Sequence, residues 1–197
     1  MKLLTYVVAR DYGFAPNPFH GYCTLATCKP VIRRVAQPGD WVVGTGSARG
    51  KRVNRLVYAM RVAETLTFDE YWADPRFRSK RPNLHGSKKQ AFGDNIYRST
   101  PEGWHQANSH HSMNNGTPNP RNIANDTQTD RVLIASEYVY WGGSGPFIPE
   151  EFHPLVCDGR GHRCKFPEDL VVRFIDWLRR NAGIGYQGEP LDWKRSP

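Results

Sequence analysis

Residues 11–19 read Asp11-Tyr-Gly-Phe-Ala-Pro-Asn-Pro-Phe19, and an apolar, strand-like run over residues 3–9 leads directly into them. Glycine and proline interrupt regular structure here and restrict the backbone. This segment, the opening loop, also carries aromatic rings and hydrogen-bonding groups. Rigid loops with such side chains often hold binding residues. Alternatively, Phe14 and Phe19 fill the end of a core while Asp11 caps a turn.

The composition predicts a folded protein with a substantial core. The chain has 197 residues, of which 39% are hydrophobic, and we expect one domain over residues 1–197. No apolar run is long enough to cross a bilayer, so we expect no membrane partner. The N-terminal residues lack the apolar region of a signal peptide, which predicts a cytoplasmic protein.

The formal net charge of +8 favours a polyanionic partner, because neutralised phosphates release counterions. The basic residues are clustered along the sequence, although surface charge that only keeps the protein soluble is the alternative. The residues expected to bind phosphate are Arg49, Lys51, Arg52, Arg55, Arg78 and Lys80.

The hydrophobic pattern predicts an α+β fold that is mainly β. Strands are expected at 3–9, 41–44, 56–63 and 130–141, and helices at 29–36, 68–72 and 167–181. The last helix has apolar residues at helical spacing, which predicts an amphipathic C-terminal helix. Residues 76–130 are rich in polar residues and predict a long insertion that is either a lid or faces the substrate. Neither a dinucleotide-binding glycine motif nor a phosphate-binding loop is present.

Several polar residues are candidates for chemistry. Those considered for catalysis are Asp11, Asp94, His105 and Lys29. His105, His110 and His111, paired with Asp126 or Asp130, are alternatives as metal ligands or acid–base groups.

The four cysteines give two further possibilities. Cys23 or Cys28 is a possible nucleophile, because nearby basic residues favour a thiolate, but the sequence identifies no base beside either. Cys23, Cys28, Cys157 and Cys164 are possible zinc ligands, although their spacing fits no common zinc motif and reduced cysteines are favoured.

Four motifs together resemble one known family. They are Asp11-x-Gly-Phe-Ala-Pro-Asn-Pro-Phe19, Cys23-Thr-Leu-Ala-Thr-Cys-Lys-Pro-x-Ile-Arg33, Gly39-Asp-Trp-Val-Val-Gly44 and Gly93-Asp-Asn-Ile-Tyr97. The chain resembles the nucleotide-modification-associated domain family, the second of the domains so named. That resemblance implies a role in bacterial or phage systems that modify nucleobases, and it assigns no catalytic residues.

A weaker similarity in the order of elements links the chain to EVE and other PUA-like domains. It implies a small β-barrel with peripheral helices that takes a modified base into an aromatic pocket.

The leading prediction is a module that binds nucleic acid or nucleotides and recognises a nucleobase or assists its modification, without a cofactor. The alternatives are a transferase or hydrolase acting on a nucleotide or base, and a defence or regulatory module that binds a protein through residues 76–130. The residues expected to contact the base or nucleotide are Asp11, Phe14, Asn17, Lys29, Arg33, Trp41, Asp94, Asn95, Tyr97 and Tyr140.

Overall fold

The computed structural model describes residues 1–48, 52–157 and 159–195. They form two compact units. The first unit contains Met1–Tyr12, Ala36–Ala63 and the residues from Ala135 onward, and the second contains Gly13–Val35 and Glu64–Ile134.

The strands of the described chain are β1 (Leu3–Val8), β2 (Cys23–Leu25), β3 (Trp41–Gly46), β4 (Leu56–Arg61), β5 (Glu64–Leu66), β6 (Tyr97–Thr100), β7 (Gly103–Gln106), β8 (Val132–Ala135), β9 (Glu137–Tyr140) and β10 (Gly185–Tyr186). The α-helices are α1 (Pro30–Val35), α2 (Phe68–Ala73), α3 (Lys88–Ala91), α4 (Pro120–Asp126) and α5 (Glu168–Asn181).

The first unit is a five-stranded mixed sheet with α5 against its core. The strand order is β1-β3-β4-β9-β10. β1 lies parallel to β3, whereas β3, β4 and β9 are antiparallel neighbours. Every residue of β3 is buried, and the strand continues through Gly46, two residues beyond the predicted end at residue 44. α5 buries five apolar residues at helical spacing, which confirms the predicted amphipathic C-terminal helix.

The second unit contains a three-stranded sheet, in the order β2-β8-β5, and the hairpin β6-β7. Thr67 caps α2 and forms a capping box with Glu70, which fixes the start of this helix where the sequence predicts it. Residues 76–130 contain α3, β6, β7 and α4. This polar stretch therefore has regular structure of its own and contributes to the second unit.

The α+β class is confirmed, and the predicted small barrel is not. The strands of the described residues form separate sheets, and the largest has β1 at one edge and β10 at the other. Closure would need a long pairing between those edges, but β10 is only two residues long. No helix in the described part of the chain has the length and apolar character to cross a membrane.

Candidate active site

A cysteine, a histidine and an aspartate form a hydrogen-bonded series in the second unit. The Sγ atom of Cys28 lies 3.6 Å from Nε2 of His111. Nδ1 of the same ring lies 2.8 Å from Oδ2 of Asp126. A nucleophile beside a histidine that a third group orients is the arrangement of nucleophilic catalysis.

Local structure places each member of this series. Cys28 lies between β2 and α1 and has a φ of 56°. His111 lies in the turn region after β7, where its backbone carbonyl accepts a 2.8 Å hydrogen bond from the Asn122 side chain. Asp126 is the last residue of α4. Three separate elements of the second unit therefore supply the three side chains.

The carboxylate of Asp126 is buried and saturated with donors. Oδ1 accepts from the backbone N–H of Cys28 at 2.7 Å and from the Asn125 amide at 3.2 Å. Oδ2 accepts from Tyr97 at 2.9 Å as well as facing His111. Asp126 therefore fixes the backbone of Cys28 and the ring of His111 at the same time.

The electrostatics favour a protonated His111. Burial lowers the pKa of His111, but the hydrogen bonds to Asp126 and Cys28 outweigh it and raise the pKa to about 9. Burial raises the pKa of Asp126, but its bond to His111 prevails and the net pKa is lowered. A positive charge beside a cysteine sulfur favours the nucleophilic thiolate.

The same three residues are also a possible set of metal ligands. In the described chain they form the one group of this kind, with ligand atoms within 4.8 Å of one another. However, the Asp126 oxygens already accept four hydrogen bonds, and a set of three protein ligands does not match a closed structural zinc site. The geometry therefore fits a thiol–imidazole–carboxylate site better than a zinc site.

Aromatic side chains surround the histidine. The ring of Phe14, from the opening loop, lies 4.6 Å from that of His111 and 5.3 Å from that of the exposed His110. The ring of Phe92 lies 5.1 Å from that of His110. Phe14 was predicted to stack on a base, but it is only 3% exposed and packs against His111 instead.

The Arg33 side chain links several backbone segments of the second unit by hydrogen bonds. Its side chain is fully buried and donates to the carbonyl of Cys28 at 2.9 Å, of Arg131 at 2.8 Å, and of Asp126. The guanidinium that was expected to contact a nucleotide is thus buried against backbone carbonyls of the second unit in this structure.

A second buried network contains several other predicted site residues. The ammonium group of Lys80 donates to the side-chain oxygen of Asn17 at 2.7 Å and to the Tyr22 carbonyl at 3.0 Å. Asp94 accepts from Thr24 at 2.7 Å and from Tyr71 at 2.8 Å. Because Lys80, Asn17 and Asp94 are at most 1% exposed, they hold the second unit together and cannot touch a ligand in this conformation.

Asn95 and Tyr97 are also buried by their own partners. The Asn95 amide donates to the carbonyls of Tyr71 and Phe77 at 2.9 and 3.2 Å. Tyr97 donates to Asp126 and supports the site from inside. The Gly93–Tyr97 motif is therefore part of the scaffold in this structure rather than a ligand-facing loop.

Other predicted residues lie in the first unit. Asp11 accepts hydrogen bonds from the Tyr140 hydroxyl and from the backbone of Leu191, and Arg52 donates to the carbonyl of Gly143. Asp11 and Arg52 line one cavity. Trp41 belongs to the apolar core and lines a different cavity beside Leu178.

The remaining candidates have varied positions. His105 and Arg78 are exposed and Lys29 is half-buried, while Arg55 donates to the carbonyl of Gly145 and lies over the Phe147 ring. Arg49 and Lys51 lie outside the described residues.

The other three cysteines do not join the His111 site. Burial raises the pKa of Cys23 to about 12, which makes that thiol inert. Cys157 and Cys164 belong to the first unit.

Comparison with protein families identifies the chain. The family model described as nucleotide modification associated domain 2 matches residues 1–197. The chain belongs to this family. The resemblance predicted from the four sequence motifs is thus confirmed, and the family name associates the chain with nucleotide modification. No curated protein and no solved structure matched the chain.

In this member of the nucleotide modification associated domain 2 family, the sequence suggests each of the three site residues, but it does not show that they form one site. The sequence suggests Cys28 as a nucleophile without identifying its base, and it suggests His111 with Asp126 without identifying a nucleophile. Cys28 and His111 are 83 positions apart, so no local motif connects them. One chain contains a candidate cysteine nucleophile that lacks a base and a candidate histidine–aspartate pair that lacks a nucleophile. That combination is the sequence signal that could have indicated a single site.

Proposed function

We propose that this domain is a thiol-dependent transferase or hydrolase that acts on a nucleotide or nucleobase, with Cys28 as nucleophile. The observation that carries the proposal is the continuous series from Sγ of Cys28 to Nε2 of His111, at 3.6 Å, and from Nδ1 to Asp126, at 2.8 Å. In this series His111 exchanges protons and Asp126 orients the imidazole.

The reaction has two steps that share one covalent intermediate. The Cys28 thiolate attacks an electrophilic carbon and forms a carbon–sulfur bond, while the leaving group departs with the proton of the His111 imidazolium. A second nucleophile, water or an acceptor group, then attacks the same carbon. It gives its proton to His111 and releases the thiolate, which restores the starting state.

The substrate class follows from the family and from charge. The family name supports a nucleotide or nucleobase substrate, and the net charge of +8 supports a polyanion such as DNA. We therefore keep recognition of a base in nucleic acid, within a bacterial or phage modification system, as the setting of the reaction. A PUA-like relation and a protein partner bound through residues 76–130 remain further proposals.

Alkylation of individual cysteines tests the site without a known substrate. We expect iodoacetamide to modify Cys28 at about pH 6 at least tenfold faster than the exposed Cys164, because the protonated ring of His111 lies 3.6 Å from the Cys28 sulfur. Mass spectrometry of peptides measures both rates in one sample. Cys164 serves as an internal control, since it is exposed and belongs to the other unit.

Two variants separate the proposed roles. His111→Gln should lower the rate of Cys28 alkylation at about pH 6 to that of Cys164, while the rate for Cys164 stays unchanged. Cys28→Ser should abolish a covalent adduct with nucleotide or oligonucleotide substrates, whereas Cys164→Ser should retain it. Equal rates for Cys28 and Cys164 at low pH in the wild-type protein would refute the thiolate site.

A further inference from the structure

A group of surface arginines lies around one tryptophan in the second unit. Trp72, on α2, is half-buried, and the guanidinium carbon of Arg81 lies 4.1 Å from the centroid of its ring. The guanidinium carbon of Arg98, on β6, lies 5.5 Å from the same centroid. Arg78 lies in the turn just before Arg81, whose backbone N–H donates to the Arg78 carbonyl at 3.2 Å. We call these four residues the arginine face.

The three positive charges of this face lie near one another and have no ion-pair partner among the described residues. Burial and the charges of Arg78 and Arg98 lower the pKa of Arg81. The ion pairs in the described part of the chain involve none of these three arginines. By contrast, Arg76 in the same turn is paired with two carboxylates, at 2.6 Å each. Like charges that are held together without such partners attract an external anion.

The hairpin β6-β7 places the face at the protein surface. Tyr97 of β6 is buried and supports the Cys28 site, whereas Arg98, the next residue, is exposed. Successive side chains of a strand point to opposite faces, so Arg98 lies on the outer side of the hairpin. His105, opposite Arg98 on β7, is also exposed, and its ring lies 6.3 Å from that of Trp72. The arginine face is therefore separate from the thiol chemistry, although both belong to the second unit.

Asp69 is an acidic neighbour of Arg98. Its carboxylate accepts hydrogen bonds from the backbone N–H of Ser99, at 2.7 Å, and from the Ser99 hydroxyl. These hydrogen bonds, and to a smaller extent the charge of Arg98, lower the pKa of Asp69. One carboxylate cannot neutralise three guanidinium groups, so the face keeps a net positive charge.

We infer that the arginine face binds the phosphodiester backbone of a nucleic acid, with phosphates on the exposed Arg78 and Arg98 and with Arg81 adding its charge. A guanidinium pairs with phosphate oxygens through parallel hydrogen bonds, and its plane can also stack on a base. The family description favours nucleic acid over other polyanions. The inference rests on the nucleic-acid setting proposed above, but it needs no chemistry at Cys28.

Fluorescence anisotropy of labelled oligonucleotides with the full chain tests the inference. The probes are a single-stranded DNA of about 12 nucleotides, the RNA of the same sequence and the corresponding DNA duplex. We expect binding that weakens linearly on a plot of log K against log salt concentration, because phosphate contacts release counterions. The three probes share the phosphodiester chemistry, and their relative affinities show which one the face prefers. Binding to phosphatidylserine vesicles but to no oligonucleotide would overturn the inference.

Paired variants then assign the binding to the arginine face. Arg78→Gln combined with Arg98→Gln should weaken single-strand binding at about 0.1 M salt at least tenfold and reduce the salt slope by about 1.4, because each phosphate contact contributes about 0.7. Arg173→Gln combined with Arg180→Gln removes the same charge from exposed positions of α5 in the other unit. This control should bind within about twofold of wild type.

Lysine variants separate loss of charge from damage to the fold. Arg78→Lys combined with Arg98→Lys should recover most of the salt slope, because an ammonium also neutralises a phosphate. The inference is wrong if the wild-type protein binds no oligonucleotide, if the paired glutamine variant binds as tightly as wild type, or if the paired lysine variant is as weak as the glutamine one. Cys28→Ser should bind as wild type does, so this inference and the thiol chemistry can fail separately.

Discussion

Replacing His111 by glutamine should remove a pH-dependent part of the free energy of unfolding. The hydrogen bonds to Asp126 and Cys28 outweigh the opposing effect of burial and place the pKa of His111 at about 9, above the ordinary 6.5. At 1.36 kcal/mol per pKa unit, the folded state gains about 3 kcal/mol from holding this proton more tightly. Because the folded pKa is the higher one, this stabilisation is fully present below about pH 6.5 and is lost as the pH rises through about 9.

Urea unfolding of wild type and His111→Gln between about pH 6 and pH 10 measures this contribution. We expect the difference between their free energies of unfolding to shrink by about 3 kcal/mol across that range. Burial lowers the pKa of Lys80 to about 8. Because the folded state then holds this proton less tightly than the unfolded state, the free energy of unfolding of both proteins rises as the pH rises above that value. The contribution of Lys80 cancels in the difference between the free energies of unfolding of wild type and His111→Gln, if the two sites are independent.

A titration of the His111 ring by NMR in the wild-type protein gives the same information without a variant. A ring that titrates near 6.5 contradicts the ion pair with Asp126. The reasoning also fails if the difference in free energy of unfolding between wild type and His111→Gln stays constant across the pH range.

Two further predictions concern the scaffold of the second unit. Lys80→Met should lower the free energy of unfolding by about 3 kcal/mol or more, because the acceptors on Asn17 and Tyr22 lose the buried ammonium that donates to them. Urea unfolding measures the loss. As a control, Lys88→Met at an exposed position should stay within about 0.5 kcal/mol of wild type. Gly93→Ala should cost about 1–3 kcal/mol, because the added Cβ would overlap the Lys80 carbonyl oxygen. Its control is Gly159→Ala, since an added Cβ at Gly159 meets no described atom within 4 Å, and a Gly93→Ala protein as stable as this control would contradict the close approach.

The sequence predicts the elements well where one local pattern decides them. β1, β3 and β4 are mostly apolar because nearly all of their residues are buried on both faces of the sheet. The α5 helix follows from five apolar residues at helical spacing. Strand pairing is not local, so nothing in these runs shows that the sheet stays open between β1 and β10.

The polar residues show a different limit. Asn17, Lys80 and Asp94 have the residue types of a binding site, but the same types also form fully satisfied buried networks. Only burial separates the two possibilities, and burial depends on contacts such as that of Lys80 with Asn17, 63 positions away. Asp11 and Arg52 were predicted by the same reasoning, and they line a cavity because the first unit leaves that space unfilled.

The backbone at Cys28 gives an independent reason to assign it a chemical role. Cys28 and Lys29 have φ values of 56° and 41°, a region that costs about 1–3 kcal/mol for residues other than glycine. A cysteine that only filled space would not need this conformation, and glycine would adopt it without strain. The conformation is held by Asp126, which binds the backbone N–H of Cys28, and by Arg33, which binds its carbonyl. Since Asp126 also orients His111, one buried carboxylate fixes both the strained backbone of Cys28, the proposed nucleophile, and the ring beside its sulfur. This shared dependence is expected of a site built for chemistry, because both reacting groups must hold one relative geometry.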